Sequence, residues 1–457
     1  MRKLFVLLVL IPIAATSQQK NDSTFIRKIS NEILANGQAY ENLRYLTKQI
    51  GGRLAGSKQY DQAAQWGKTV MEQAGADAVF LQECMVPHWV RGGQDKASIV
   101  SVNNKKQSRK LDVLALGNSL GSGKKGVSAE VIAVANFDEL ERRKDEVKGK
   151  IVFYNHAFNP TNLRPGTSYG QGGVYRRNGA SRAAKYGAIG VLIRSLTEAT
   201  DNNPHTGAMA YNDSFPKIPA AALGLQDADY LWNACKENKN VKVSFTTYGY
   251  FLPDDVDHNV IAELKGTENP NSYITVGGHL DSWDVNEGAH DDGTGIVQTI
   301  EILRALKALG YKPKNSIRFV LFANEENGLR GGDKYAEVAK AKNEKHIFAL
   351  ESDGGGFTPR GFGFTMSVDK VKKIQPWAEL LTPYGVYELT SGGGGADIGP
   401  LNRTFNTPLA GLQVDSQRYF DLHHARSDVF EAVNKRELNL GAINMAALIY
   451  LVDKYGL

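Results

Sequence analysis

The sequence predicts an α/β protein, with a mixed, mainly parallel sheet flanked by helices and a β-rich domain inserted into it. Residues 273–276, 317–323 and 347–350 form short unbroken apolar runs, as expected of strands covered on both faces. Between the first two runs, residues 296–309 repeat apolar side chains at helical spacing and stop at Gly310. A strand, a helix and a second strand in this order indicate a crossover between parallel strands.

The elements before the insert are helical. Residues 30–50 and 60–74 carry apolar side chains at helical spacing, and the turn-rich loop 51–57 separates them. At the other end of the chain, Asn434 with Glu437 three positions later resembles a capping box, which predicts a long final helix packed on the sheet.

The character of the sequence changes between residues 118 and 245. Short β-like runs such as 131–135 and 151–154 alternate there with polar, glycine-rich loops. A small-residue helix leads into a strand at 191–193, and another helix follows Gln226. We therefore predict a separate domain over residues 118–245, with residues 18–117 and 246–457 forming the main domain.

The first residues have the pattern of a secretory signal. Arg2 and Lys3 precede an apolar run over residues 4–15, and small residues follow it, so we expect cleavage after residue 17. The run is shorter than the roughly 20 residues that a membrane span needs, and no later segment is a better candidate. The sequence thus predicts a secreted or periplasmic protein without a membrane anchor.

Composition limits the class of partner. Hydrophobic side chains make up 42% of the chain and charged ones 23%, which excludes a disordered or fibrous protein. The net charge of +5 is spread along the chain without an arginine-rich tract, which argues against a nucleic-acid partner. Cys84 and Cys235 could form a disulfide in an oxidising compartment or remain two free thiols, and the sequence leaves both alternatives open.

Candidate metal ligands follow each of the three predicted strands of the main domain. They are His279 and Asp281, Glu325 and Glu326, and Glu351 and Asp353. Two further groups stand at the start of the crossover helix and in a late loop: Asp291 with Asp292, and His423 with His424 and Asp428. Since the carboxyl ends of strands converge on one crevice in α/β sheets, we expect these side chains to meet.

Such a set suits two divalent cations that share one carboxylate. Oxygen and imidazole ligands without thiolate fit zinc in a catalytic site. Three ligand carboxylates and one bridging hydroxide would together balance the charge of two zinc ions. A fourth carboxylate beside them would be left to hold a proton, and Glu325 fits because it adjoins a ligand without needing to be one.

Four motifs carry a resemblance to a known family. They are residues 277–284 (GGHLDSWD), 291–295 (DDGTG), 324–326 (NEE) and 351–353 (ESD). With them the chain resembles the co-catalytic di-zinc exopeptidases of the aminopeptidase and glutamate carboxypeptidase type. The likeness extends to residues 51–57, 89–92 and 391–400, and so covers nearly all of the mature chain. It implies a zinc-exopeptidase fold in which residues 118–245 form a protease-associated domain.

The resemblance also implies roles for individual residues. His279 and Asp353 would bind one zinc ion, Glu326 and His424 the other, and Asp291 both. Glu325 would act as general acid/base towards a metal-bridged hydroxide. Asp281 would accept the imidazole proton of His279. His423 is the alternative to His424, and the Asp291–Asp292 bond is expected to be a cis peptide.

Other residues are assigned less directly. The glycines Gly393, Gly394 and Gly395 form either a flexible surface loop or, with Asp397, a wall of the substrate pocket. Tyr419 is a further candidate for substrate binding. His290 departs from the family pattern, where asparagine or methionine is more usual, and we expect it to bond a loop rather than a metal.

The predicted activity is hydrolysis of dipeptides or short peptides at a free terminus, with two zinc ions per chain. Carboxypeptidase, dipeptidase and aminopeptidase specificity remain open, and the family precedent allows a homodimer. The alternative from another class is a non-catalytic binding ectodomain similar to the transferrin receptor. The presence of all five candidate ligands and of Glu325 favours the enzyme.

Overall fold

A computed structural model of the chain describes the backbone of residues 10–457 and the side chains from Lys20 onward. The predicted signal peptide, residues 1–17, lies outside the described residues except for the backbone of residues 10–17. Within the described part, no helix combines the length and the apolar character that a membrane span requires.

The described strands number from β1 to β18 in chain order. They are β1 (Ala78–Val86), β2 (Trp89–Val90), β3 (Lys96–Val102), β4 (Lys105–Leu111), β5 (Val113–Ala115), β6 (Val127–Val134), β7 (Ile151–Tyr154), β8 (Gly190–Arg194), β9 (Ala220–Leu223), β10 (Val241–Thr246), β11 (Tyr250–Phe251), β12 (Asp255–Leu264), β13 (Asn269–His279), β14 (Asn315–Phe322), β15 (Lys345–Glu351), β16 (Pro359–Thr365), β17 (Glu388–Ser391) and β18 (Leu409–Val414).

The described α-helices number from α1 to α13. They are α1 (Leu10–Asn36), α2 (Ala39–Tyr45), α3 (Lys58–Gln73), α4 (Phe137–Arg142), α5 (Pro165–Ala184), α6 (Leu225–Glu237), α7 (Thr294–Ala308), α8 (Arg330–Ala341), α9 (Val368–Ile374), α10 (Ala378–Leu381), α11 (Gly399–Phe405), α12 (Tyr419–Leu422) and α13 (Lys435–Tyr455).

The larger sheet has the strand order β1-β12-β14-β13-β15-β18-β16-β17. Its centre is parallel, because β13 pairs in parallel with both β14 and β15, and β15 pairs in parallel with β18. The pairs β1–β12, β12–β14 and β16–β18 are antiparallel. The predicted mixed, mainly parallel sheet is therefore confirmed.

Helices cover both faces of this sheet. Alternate residues of the central strands pack on one face against α1, α3, α7 and α13, as Ile317, Phe319 and Leu321 of β14 do. The intervening Val320 and Phe322 pack on the other face against α8 and α11. This two-residue alternation with both faces buried explains the unbroken apolar runs in the sequence. The predicted cap also forms, since the Asn434 side chain accepts hydrogen bonds from two backbone amides at the start of α13.

The second large sheet has the order β4-β3-β10-β6-β7-β8-β9-β5 and carries helices α4, α5 and α6. It starts at Lys96, before the predicted domain boundary at residue 118. The difference arises because six of the seven residues of β4 are exposed and its sequence is almost entirely polar, so no apolar alternation marks it. We use "the insert" for residues 96–246, the span of this sheet.

Both cysteines are free thiols in the structure. Cys84 lies on β1 of the main sheet, whereas Cys235 lies on α6 of the insert. The disulfide that the sequence left open does not form, because one cysteine lies in the main sheet and the other on a helix of the insert.

Candidate metal centre

The candidate ligands converge at the carboxyl end of the central parallel strands. In the strand register His279 of β13 is aligned with Phe322 of β14, and Gly277 of β13 with Glu351 of β15. The segments that leave these three strands, with Glu325, Glu326 and Asp353, therefore emerge at one edge of the sheet. The turn Ala289–Gly293 and the loop after α12 bring the remaining candidates to the same edge.

Two groups of side chains meet at Asp291. In the first group, His279 Nε2 lies 3.3 Å from Asp291 Oδ1 and 3.6 Å from Asp353 Oδ1. In the second group, His424 Nε2 lies 3.3 Å from Asp291 Oδ2 and 3.0 Å from Glu326 Oε2. Asp291 thus offers one carboxylate oxygen to each group, which is the arrangement that a shared ligand of two cations requires.

The donor atoms fit metal ions in a second respect. Asp291 Oδ2 and Glu326 Oε1 are buried and have no hydrogen-bond partner among the described residues. Buried carboxylate oxygens without a partner are costly, and a cation would satisfy them. The spacing of the His279, Asp291 and Asp353 donor atoms is close enough for one ion.

The pKa shifts of the cluster also favour a bound cation. Burial works against ionisation of Asp291, but the imidazoles of His423, His279 and His424 outweigh it and lower the pKa of that carboxyl well below its usual range. Burial likewise opposes charge on His424, and the neighbouring Glu326 and Asp291 raise the pKa of its imidazole well above the ordinary value. The cluster therefore stabilises positive charge between its carboxylates.

His424 fits the ligand position better than His423. The His423 ring stacks on the His424 ring with centroids 3.5 Å apart, and its Nε2 lies 3.6 Å from Asp291 Oδ2. His424 contacts Glu326 as well as Asp291, whereas the ion pairs recorded for His423 among the described residues reach Asp291 alone. The geometry thus favours His424, although both imidazoles stand beside Asp291.

Asp281 supports the site differently from the predicted role. The backbone carbonyl of Asp281, not its carboxylate, is the nearer acceptor for His279 Nδ1, at 3.0 Å against 3.6 Å. Its carboxylate accepts hydrogen bonds from the backbone N–H groups of Glu325 and Glu326, at 3.0 and 3.1 Å. The side chain is drawn to these two amides because the tight turn after β14 leaves them without carbonyl partners.

Two further carboxylates hold the turn that carries Asp291. Asp428 accepts hydrogen bonds from the backbone N–H groups of His290 and Asp291, at 2.7 and 3.2 Å. Asp292 accepts hydrogen bonds from the backbone N–H groups of His279 and Gly295. The Asp291–Asp292 peptide bond is cis, as the resemblance implied.

His290 bonds loops, as expected. Its ring stacks on Phe357 with centroids 4.3 Å apart. Nδ1 accepts a hydrogen bond from the Gly356 N–H, and Nε2 lies 3.2 Å from the carbonyl oxygen of Ala432. Burial lowers the pKa of His290 to about 4, so the ring is neutral at pH 7.

Glu325 stands in the site without belonging to either ligand group. It is partly exposed, at the first turn after β14. Burial raises the pKa of its carboxyl well above the usual range, and the neighbouring carboxylates of Asp353 and Glu326 raise it further. A carboxyl group with a raised pKa beside metal ligands is suited to exchange protons at neutral pH.

An open cleft of about 750 Å³ leads away from Asp353 between the insert and the main domain. Tyr419 lines it, together with Leu163 and Arg164 of the insert. Of the glycines that follow β17, Gly393 is exposed and Gly394 and Gly395 are half-buried. None of the three is among the residues that line this cleft.

Asp397 lies in the interior rather than on the wall of the cleft. It is 1% exposed, neither carboxylate oxygen has a hydrogen-bond partner, and the start of helix α8 closes over it at Gly332. Burial raises the pKa of Asp397 well above its usual range, and the nearby Glu351 carboxyl adds to the effect. The predicted substrate contact is thus not favoured by its position.

The insert contributes residues that sequence reasoning missed. Arg176 of α5 is 6% exposed, and its guanidinium lies 3.5 Å from His424 Nδ1. His205 and Thr206 contact the backbone of His423 and His424. No motif in the sequence marks these residues, because they lie in an insert that is far from the ligands along the chain.

A fully buried arginine supports the scaffold beneath the site. Arg53 is 0% exposed and donates to the backbone carbonyls of Leu280, Glu287 and Gly288 at 2.5, 3.0 and 3.1 Å. It thereby joins the loop after α2 to both ends of the segment between His279 and Asp291.

We expect Arg53→Met to lower the free energy of unfolding by about 3–5 kcal/mol, because it leaves buried carbonyl oxygens unpaired. Urea-induced unfolding measures the change. Arg44→Met is the control, since Arg44 is exposed and pairs with Glu41 on the same helix, and it should leave the free energy of unfolding nearly unchanged. Equal effects of the two substitutions would contradict the supporting role of Arg53.

Comparison with known proteins supports the assignment of these residues to a peptidase site. The family described as peptidase family M28 matches residues 259–449. Carboxypeptidase Q of Mus musculus is 36% identical over 416 residues, which cover 91% of this chain and 85% of that protein. The crystal structure of a peptidase M28 precursor from Shewanella amazonensis SB2B is 31% identical with a TM-score of 0.89, and the match covers 95% of this chain and 97% of that one.

A more distant match extends the likeness in fold alone. BSAP, a zinc aminopeptidase from Bacillus subtilis, is 20% identical with a TM-score of 0.65, and the match covers 91% of this chain and 94% of that one. These matches confirm the prediction of a metal-dependent exopeptidase. Because the family model matches the catalytic part of the chain and a relative more than 30% identical is matched over most of its length, the chain belongs to peptidase family M28.

Proposed function

We propose that this protein is a di-zinc exopeptidase that cleaves dipeptides or short peptides next to a free C-terminal carboxylate. The observation that carries the proposal is the position of Asp291, whose two carboxylate oxygens face two separate histidine–carboxylate groups. The curated relatives named carboxypeptidase Q support the choice of a carboxypeptidase or dipeptidase.

Two zinc ions would be held by five side chains of the described structure. His279 and Asp353 would hold one ion, Glu326 and His424 the other, and Asp291 would bind both. Oxygen and imidazole donors without thiolate support zinc in a catalytic role. Bound there, zinc supplies Lewis-acid polarisation of the scissile carbonyl and lowers the pKa of water towards neutrality.

Glu325 would move the proton that hydrolysis requires. Its carboxylate takes a proton from the attacking water and gives it to the amine of the leaving residue. The raised pKa of this carboxyl supports both halves of that task, because a carboxyl group whose pKa lies above its usual range holds an accepted proton more firmly and can then return it. Asp281 positions Glu325 through the backbone amide of the same turn.

Arg176 supports recognition of a free carboxylate. No described carboxylate forms an ion pair with it, and its buried Nε has no hydrogen-bond partner. The nitrogen nearest to Arg176 is His424 Nδ1, which also lies 3.2 Å from the carbonyl oxygen of Thr206. When His424 Nε2 binds a metal, Nδ1 carries the proton and donates it to this carbonyl. Nδ1 therefore cannot accept a hydrogen bond from Arg176. A buried guanidinium without a carboxylate partner among the described residues, beside the second ligand group, is suited to bind the terminal carboxylate of a substrate.

A dipeptide series blocked at either end tests the proposed specificity. We expect zinc-loaded protein to cleave N-acetylated peptides and to lose cleavage when the C-terminal carboxylate is an amide. Loss of cleavage on N-acetylation alone would instead support aminopeptidase activity, the alternative that the sequence left open.

We expect Arg176→Ala to raise KM for peptides with a free C-terminus about 10- to 100-fold, because a charge-assisted hydrogen bond to the carboxylate is lost. Steady-state kinetics with free and amidated forms of one peptide measure the effect. The neighbouring Arg177 is exposed, so Arg177→Ala is the matched control and should leave KM unchanged. An equal rise in KM for the amidated peptide would contradict the carboxylate-binding role.

Export and assembly are part of the same proposal. We propose that residues 1–17 are removed as a signal peptide and that the mature enzyme acts in the periplasm or outside the cell, where peptide substrates with free ends occur. The homodimer and the protease-associated character of the insert remain predictions. Amino-terminal sequencing of the mature protein tests the cleavage, which should leave Gln18 first.

A further inference from the structure

One loop of the insert contacts the backbone of the candidate ligand His424. We call His205, Thr206 and Gly207 the insert loop. The Thr206 N–H donates to the His424 carbonyl oxygen at 3.0 Å, and the Thr206 carbonyl oxygen lies 3.2 Å from His424 Nδ1. His205 Nδ1 donates to the His423 carbonyl oxygen at 2.7 Å. Both histidines of the late loop are therefore fixed by a segment that is about 218 residues away in sequence.

His424 needs such support because of its backbone conformation. Its φ of 62° lies in the left-handed region, which residues other than glycine adopt rarely and at a cost. The carbonyl oxygen and the imidazole of this residue are both bonded to Thr206. The bond to Nδ1 also selects the tautomer that leaves Nε2 free to face Asp291 and Glu326.

Gly207 allows the insert loop to approach this closely. Its φ is +132°, and a Cβ atom on it would lie 2.7 Å from His424 Nδ1 and 2.5 Å from a guanidinium nitrogen of Arg176. Both distances are shorter than real Cβ contacts allow, so an alanine here would displace the histidine ring, the arginine or the loop.

The first ligand group has no such dependence on the insert. His279 is held by the carbonyl of Asp281 and by the carboxylate of Asp292, both in the main domain. Asp353 lies two residues after the end of β15 of the main sheet. Among the described residues, the hydrogen bonds of the insert therefore reach His424, and none reaches His279 or Asp353.

We propose that the insert loop is a positioning element for the metal ion that His424 and Glu326 would hold, and that it does not support the ion of His279 and Asp353. The inference rests on the proposed function only through the assignment of His424 as a metal ligand. It gives the insert a role in metal binding that is separate from substrate recognition by Arg176.

Metal content of the full-length protein tests the proposal directly. Gly207→Ala should retain about one zinc ion per chain where the parent retains two, with the affinity for the second ion reduced roughly 10- to 100-fold. Titration against a competing chelator measures both quantities. Gly149→Ala is the matched control, since Gly149 is an insert glycine with φ +75° and open space around it, and it should retain both ions.

His205 variants keep the test decisive if Gly207→Ala does not fold. His205→Ala removes the hydrogen bond to the His423 carbonyl, whereas His205→Asn keeps an N–H donor near the Nδ1 position. We expect His205→Ala to lower the affinity for the ion that His424 and Glu326 would hold, and His205→Asn to restore most of that affinity. In cobalt-substituted protein, the visible absorption of one of the two ions should change in His205→Ala while that of the other stays as in the parent.

The outcomes separate this proposal from the proposed activity. Wild-type affinity for both ions in Gly207→Ala and His205→Ala would overturn the positioning role of the insert loop. An equal loss of affinity for both ions in a folded variant would overturn it as well. A parent protein that holds two zinc ions but cleaves no peptide would refute the activity and leave the role of the insert loop intact.

Discussion

Glu325→Gln should leave two zinc ions bound per chain and lower kcat by a factor on the order of 10³ or more. Glutamine has nearly the same shape as glutamate but cannot take up or release the proton. Glu325 belongs to neither ligand group around Asp291, so its replacement removes no metal ligand. The backbone amide of residue 325 still donates to Asp281, so the turn should keep its conformation.

Metal analysis and steady-state kinetics on the same preparation separate the two effects. Glu337→Gln is the control, because Glu337 is an exposed residue of α8 that pairs with Lys334. It should change neither metal content nor kcat. A Glu325→Gln enzyme with the parent rate would contradict the proton-transfer role, and one that has lost an ion would make Glu325 a ligand.

Asp291→Ala should release both zinc ions and lower activity by a factor on the order of 10³ or more, whereas Asp353→Ala should release one. The difference follows from geometry. Asp291 faces both His279 and His424 through separate oxygens. Of these two histidines, Asp353 faces only His279. Removing the shared carboxylate also removes a negative charge that would balance the two cations.

Metal content after dialysis distinguishes these variants. Asp333→Ala is a suitable control, since Asp333 is an exposed carboxylate paired with Arg403. It should retain both ions and full activity. Retention of one ion in Asp291→Ala would place Asp291 in one site only, and retention of two would exclude it as a ligand.

The convergence of the ligands could be predicted from the sequence because strand ends are marked locally. The apolar runs that end before His279, Glu325 and Asp353 are continuous, since both faces of the central strands are buried. Once the runs are placed side by side in a parallel sheet, their carboxyl ends meet without further information. The helix that starts at Thr294 has a similarly clear pattern.

The contributions of the insert could not be predicted in this way. Arg176 and His424 are separated by 248 residues, and their contact depends on how the two sheets pack against each other. Arg176 is one of three arginines in the glycine-rich helix α5, and no spacing distinguishes it from the exposed Arg177 beside it. The same holds for His205 and Thr206, whose contacts to the late loop use backbone atoms that sequence patterns do not mark.

Residues near the ligands show a second limit. The sequence places Asp281 beside His279 but does not tell whether its carbonyl or its carboxylate receives the imidazole proton. It also does not show that Asp397 lies beneath helix α8, because the glycine loop before it is equally compatible with an exposed wall. Both distinctions depend on side-chain direction at a turn, which local propensity does not determine.

Anomalous scattering at the zinc edge from crystals of zinc-loaded protein locates the metal ions relative to Asp291. We expect two peaks on opposite sides of the Asp291 carboxylate, one also bonded to His279 and Asp353 and the other to Glu326 and His424. A single peak, or two peaks of which either lies away from Asp291, would contradict that arrangement.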